Sequence, residues 1–140
     1  MFIVDTHCHA GLNWFEPVES ILYQMNLNDV QKAILVQHRG SYDNNYLLEC
    51  RERFPDRFEV IVMVDTSKLS APETLARWAS SGASGVRLTP LVRSPGSDPL
   101  RIWKKASDLG MVVSVLGTLG EFASKEFAFV VANNPRLMLI

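Results

Sequence analysis

The sequence predicts an α/β protein: the N-terminal part, about six βα units, of a (β/α)8 barrel with parallel strands. Three observations carry this expectation. Six apolar, β-branched-rich runs punctuate the 140 residues, and their ends at Asp5, Val36, Val64, Leu88, Val115 and Leu139 are 31, 28, 24, 27 and 24 residues apart. The runs are near-continuous, not alternating, as strands buried on both faces of a parallel sheet are. The segments between them carry helical spacing with start and stop signals, so strand and helix alternate along the chain.

The first run, Phe2–Asp5, leads directly into "THCHAG". Pro17 opens a first helix with Val18, Ile21, Leu22 and Met25 on one face. The second run, Ala33–Gln37, precedes a helix striped by Tyr46, Leu47, Cys50 and Phe54, and the third is Val60–Asp65. "SAPETLARWASSG" then reads as a helix with a Ser70–Glu73 capping box, Pro72 in its first turn, Leu75, Trp78 and Ala79 toward the sheet, and Gly82 past its end. After the fourth run, Gly85–Leu88, "SDPLRIWKKASDLG" repeats the recipe with Asp98 as cap, Pro99 at the first position and Gly110 as stop. The fifth run is Met111–Leu116, "ASKEFAFVVANN" is the last helix, and Leu137–Ile140 is the sixth run. A full barrel needs roughly 250 residues. Residues 1–140 are therefore expected to be one partial barrel domain, truncated on its C-terminal side, with a complete six-stranded open sheet as the competing architecture.

Composition narrows the function. A net charge of -1, 47% hydrophobic and 21% charged residues describe an ordinary globular protein with no electrostatic footprint for nucleic acid or an anionic membrane. No uncharged apolar run reaches 18 residues, so no bilayer span is expected. Met1 runs straight into strand-like sequence without the basic stretch or cleavage site of a secretory signal. A cytoplasmic location is expected, with Cys8 and Cys50 as reduced thiols. "VLGTLGEF" lacks the spacing and the acidic follower of a dinucleotide loop.

The candidate site residues lie at the C-terminal ends of the strands, where α/β folds bind ligands. Strand parity puts Asp5, His7 and His9 on one face and Cys8 on the other. Two imidazoles one strand repeat apart can reach a single metal ion, and Asp5 can orient a ring from behind. Two ligands fall short of the usual three, so further ligands must come from later strands. Gln37 and His38 have opposite parity, so one points to the axis; Gln37 is expected inward as a substrate contact, with His38 on the loop. Asp65 ends the third strand and either binds substrate or caps the loop after it. Arg87 sits inside the fourth strand, where a buried guanidinium must pair with a carboxylate such as Asp65 or receive a substrate anion. Arg93 is a lesser anion candidate. Cys8 is expected to pack, and Trp14 and Phe15 to wall a pocket or pack the loop.

"VDTHCHAG" on a first strand resembles the start of the amidohydrolase superfamily, metal-dependent hydrolases with a (β/α)8 barrel. "KAILVQHRGSYDNNYLLECRERFPDRFEVIVMVD", "GASGVRLTP" and "LGMVVSVLG" resemble the amidohydrolase-2 branch, which holds lactonases and decarboxylases. A TatD-type nuclease would carry Gly-x-His-Pro after the third strand, where this chain has Asp65-Thr66-Ser67. The resemblance implies His7 and His9 as metal or substrate histidines and Arg87 as an anchor for an anionic substrate; Gln37, His38 and Asp65 are expected as substrate contacts from their places on the same rim. It implies hydrolysis of a lactone, ester or amide of a small organic molecule, or decarboxylation, with a divalent metal, zinc first, or without any metal. The branch's later Asp-His pair and its eighth-strand aspartate have no counterpart in residues 1–140. A half-barrel acting only as a homo-oligomer, or with a partner chain that supplies the C-terminal half, is therefore a further expectation. No nucleic-acid or membrane partner is expected.

Overall fold

The computed structural model describes residues 1–140. Strands β1 (Val4–Cys8), β2 (Lys32–Val36), β3 (Phe58–Val62), β4 (Gly85–Leu88), β5 (Val112–Val115) and β6 (Met138–Leu139) alternate with helices α1 (Val18–Leu27), α2 (Asn45–Arg53), α3 (Ala71–Ser80), α4 (Arg101–Asp108), the short α5 (Leu119–Phe122) and α6 (Lys125–Asn133). The strands are all parallel and lie in sequence order, β1 to β6, as a curled half-barrel. This is the expected architecture: each unit returns its chain to the next strand position through one helix.

The main core lies between sheet and helices. Ala33, Leu35, Phe58, Val60, Val62, Val86 and Val113 meet Leu47, Cys50, Leu75, Ile102, Trp103 and Ala106 of α2, α3 and α4. Trp103 is fully buried and donates its indole N–H to the Val92 carbonyl at 3.1 Å, so its one polar atom is satisfied. The opposite, inner face carries Val36 opposite Ile61, Ile61 opposite Gly85, and Arg87 opposite Ser114, all buried. A Cβ at Gly85 would lie 2.5 Å from the Val112 carbonyl oxygen and 3.0 Å from Ile61 Cγ1, so only glycine lets β4 curl this closely against its neighbours.

Local expectations fared unevenly. Gly82 and Gly110 end α3 and α4 with φ of +103° and +66°, the left-handed turn that glycine adopts without strain. Asp98 accepts the Leu100 N–H ahead of α4. The Ser70–Glu73 box does not form: Ser70 makes no side-chain cap, and Glu73 instead pairs with Arg101 of α4. A reciprocal capping box forms at α5, between Thr118 and Glu121. The first strand lies later than expected, at Val4–Cys8 instead of Phe2–Asp5, so the histidine motif is itself the strand end. Both edges of the sheet are unpaired, with Phe2, Val4, Met138 and Ile140 exposed along them. No helix is long and apolar enough to cross a membrane, and both cysteines are free.

A candidate active site at the C-terminal rim of the strands

β1 delivers the histidines through a bulge. Asp5 pairs with Ala33 and Cys8 with Leu35, three residues of β1 against two of β2. Ala33 and Leu35 both face the helices. Asp5 and Cys8 therefore share that side, and both line the groove against α1. This corrects the parity expectation that put Asp5 beneath the histidines. The Asp5 carboxylate instead accepts the His7 backbone N–H at 3.0 Å and stabilises the bulge. Cys8 lies toward the helical layer, as expected, with its thiol 3.5 Å from the Ile34 carbonyl. Burial pushes that thiol up to about 12, so it is a packing group and not a nucleophile.

The imidazoles of His7 and His9 meet edge to face, with centroids 5.0 Å apart. His9 Nδ1 lies 2.7 Å from the Val36 carbonyl oxygen. A carbonyl only accepts, so Nδ1 carries a proton and donates it, which leaves Nε2 as the nitrogen free for another partner. His7 is held below the ordinary histidine value, first by burial and then by the positive charges of Arg87 and His9, against an opposing pull from Asp5. Burial and the neighbouring positive charge thus disfavour the protonated form of His7. Phe15 stands between His9 and His38, at 4.8 and 5.5 Å, and the exposed Trp14 stacks on His38 at 6.5 Å. Phe15 therefore gathers His9 and His38 on one aromatic wall, a juxtaposition that the sequence spacing does not display.

Gln37 does not point inward. It continues the parity of Ala33 and Leu35, toward the helices, and its amide is occupied by the loop after β2. The amide nitrogen donates to the Asp43 carbonyl at 2.6 Å, and the amide oxygen accepts the His38 N–H at 2.9 Å. Its backbone carbonyl accepts from Arg87 Nη1 at 3.1 Å. His38 lies on the loop, as expected. Asp65 takes the Ser67 N–H at 3.1 Å and the Ser67 hydroxyl at 2.6 Å, which hold its carboxyl below the usual carboxylate range. It caps the loop after β3 and makes no ion pair with Arg87. Arg93 is likewise engaged, donating to the Val92 carbonyl at 2.8 Å and to the Glu126 carbonyl at 2.9 Å.

Arg87, like the two β1 histidines, is left with unused capacity. It is 9% exposed, its Nε is buried without an acceptor, and no carboxylate pairs with it. Burial and the nearby Arg39 lower its pKa from the usual arginine value. Sequence reasoning passed over Arg39, which shares a small cavity with Arg87, and Asn44, which is fully buried. Nothing in "QHRGSYDNN" marks either residue, because their partners lie on other strands.

The half-barrel thus brings two facing histidines at the end of β1 and a buried arginine on β4 to one rim. The chain belongs to the amidohydrolase family, whose amidohydrolase-2 model matches residues 4–139. No curated protein sequence matches the chain. Among solved structures it is similar to a Pseudomonas putida protein named as a 2-pyrone-4,6-dicarboxylic acid hydrolase, at 22% identity and a TM-score of 0.75 over 99% of this chain and 55% of that one. It is similar to a 2,6-dihydroxybenzoate decarboxylase from Rhizobium, at 15% identity and 0.73 over 99% and 65%. It is also similar to a Burkholderia multivorans amidohydrolase with bound zinc, at 16% identity and 0.71 over 99% and 56%. These likenesses establish the fold. The chain spans between about half and two thirds of the length of these relatives.

Proposed function

We propose that this chain carries the β1 and β4 share of a hydrolase site for a lactone, ester or amide of a small anionic organic molecule. The observation that supports it best is the pairing, on one rim, of two facing histidines with a buried arginine that has no counter-ion. Arg87 would receive the substrate's anionic group, since an unpaired buried guanidinium is stabilised by the first oxyanion that reaches it. His9, fixed by the Val36 carbonyl, would present Nε2 toward His7, and His38 with Phe15 and Trp14 would close one side against water. Gln37 and Asp65 would act by holding the loops that carry these groups.

The donor chemistry suits a divalent ion, with zinc the first choice, to the extent of two ligands. No group of three His, Cys, Asp or Glu gathers anywhere in the chain, so His7 and His9 would be part of a larger ligand set. His7 and His9 would help hold such an ion, which would supply Lewis acidity and could lower the pKa of a bound water to roughly 7. Zinc titration of the folded protein, followed by elemental analysis, tests the ligand role. One equivalent is expected in the parent chain, with loss in both His7→Ala and His9→Ala. No metal in folded protein would remove the ligand role and leave the metal-free form of the reaction.

Decarboxylation on the same rim is the second reading, supported by the decarboxylase among the structural relatives. We also propose that the site works only when a second copy or a partner chain covers the open half of the barrel, and that the reaction takes place in the cytoplasm, where Cys8 and Cys50 stay reduced.

A further inference from the structure

We propose that Arg39 is a second arm for the ligand's carboxylate: Arg39 on the loop after β2 and Arg87 on β4 grip one carboxylate from two sides. This rests on the reading of Arg87 as an anion receptor and adds a residue to it. Both arginines line one cavity of about 60 Å³ with Tyr42, Thr66 and Thr89, and the rest of its wall is aliphatic. A water needs about 10–15 Å³ of such space, so the cavity admits about four waters or one oxyanion head, not a whole substrate. Arg87 lines this cavity, its guanidinium has no carboxylate partner, and its buried Nε has no acceptor.

Arg39 is equally free. It makes no ion pair, and its exposed side chain enters no hydrogen bond; its backbone carbonyl alone is used, by His38 Nδ1. Glu121 senses its charge, yet that carboxylate is turned onto the Thr118 N–H and hydroxyl. Gly40, at φ +91°, makes the turn that follows Arg39 and fixes where the loop reverses. Two guanidinia beside one aliphatic-walled cavity repel each other until an anion lies between them. A planar carboxylate matches the fork of each guanidinium, and its organic body would project toward the histidines.

Calorimetric titration of the full chain with sodium benzoate tests the clamp. Saturable 1:1 binding is expected, weakened about tenfold or more in Arg39→Ala, the loss of a charge-assisted hydrogen bond. Arg39→Lys should recover part of the loss, and added salt should weaken the parent chain more than Arg39→Ala. Arg87→Met, which keeps the packing, should abolish binding with an unchanged circular dichroism spectrum. If Arg39→Ala binds within twofold of the parent while Arg87→Met does not bind, the second arm is wrong and the Arg87 reading stands. If the parent chain shows no saturable binding, both fail.

Discussion

Asn44 fastens the loop that carries His38 and Arg39. Its side-chain amide donates to the Tyr42 carbonyl at 3.1 Å and the Met63 carbonyl at 3.0 Å, and its oxygen accepts the Met63 N–H at 3.1 Å. It is fully buried, so truncation leaves backbone groups of β3's exit without partners. Asn44→Ala should lower the unfolding free energy by about 2–3 kcal/mol in urea titrations, at the upper end for a buried hydrogen-bonding group. It should also weaken any ligand that the neighbouring loop contacts. An unchanged urea midpoint would show that the loop is held by other means. At this scale the sequence displays chemistry but not partners. His7, His9 and Arg87 were legible because their residue types and strand positions are unusual. Asn44 looked like any loop asparagine, because what distinguishes it is a β3 backbone 19 residues away.

The helices show the same division one level up. Residues that end a helix act through their own backbone conformation, and Gly82 and Gly110 were read correctly. Caps depend on what else competes for a side chain, and Glu73 was drawn away from Ser70 by Arg101 of the next helix. The box at α5 has no such competitor. There Glu121 accepts the Thr118 N–H at 2.6 Å and the Thr118 hydroxyl at 3.0 Å, and these bonds hold its pKa below the usual 4.5. A depressed carboxyl favours the folded state above its unfolded pKa, and that contribution fades as pH falls through the lower folded value. The urea midpoints of the parent chain and Glu121→Gln should therefore differ at pH 7 and converge below pH ~4. A gap that persists at low pH would mean that the carboxylate's charge is not what holds the cap.

For the molecule as a whole, the curl of the sheet and its two bare edges matter most. β1 and β6 each expose a row of backbone donors and acceptors, flanked by exposed Phe2, Val4, Met138 and Ile140. Such edges and apolar ends favour pairing with another chain. Sedimentation at micromolar concentration should show a self-associated species, and Phe2→Lys with Val4→Lys should shift it toward monomer. A compact, stable parent monomer over that range would count against the assembly reading, while leaving the rim chemistry untouched.

The sequence by itself determined the succession of six βα units, the parallel sheet, the rim on which the histidines and Arg87 collect, and the resemblance that places the chain in its family. Each follows from short-range pattern: apolar runs, helix punctuation and residue spacing act over a few positions. Only the tertiary structure decided which side chains meet. It put a bulge between Asp5 and Cys8, turned Gln37 into its own loop, gave Asp65 to Ser67, left Arg87 without a counter-ion and brought Arg39 beside it. A side chain's orientation depends on strand register, and its free valence depends on partners that other strands deliver. Neither quantity exists until the sheet is assembled.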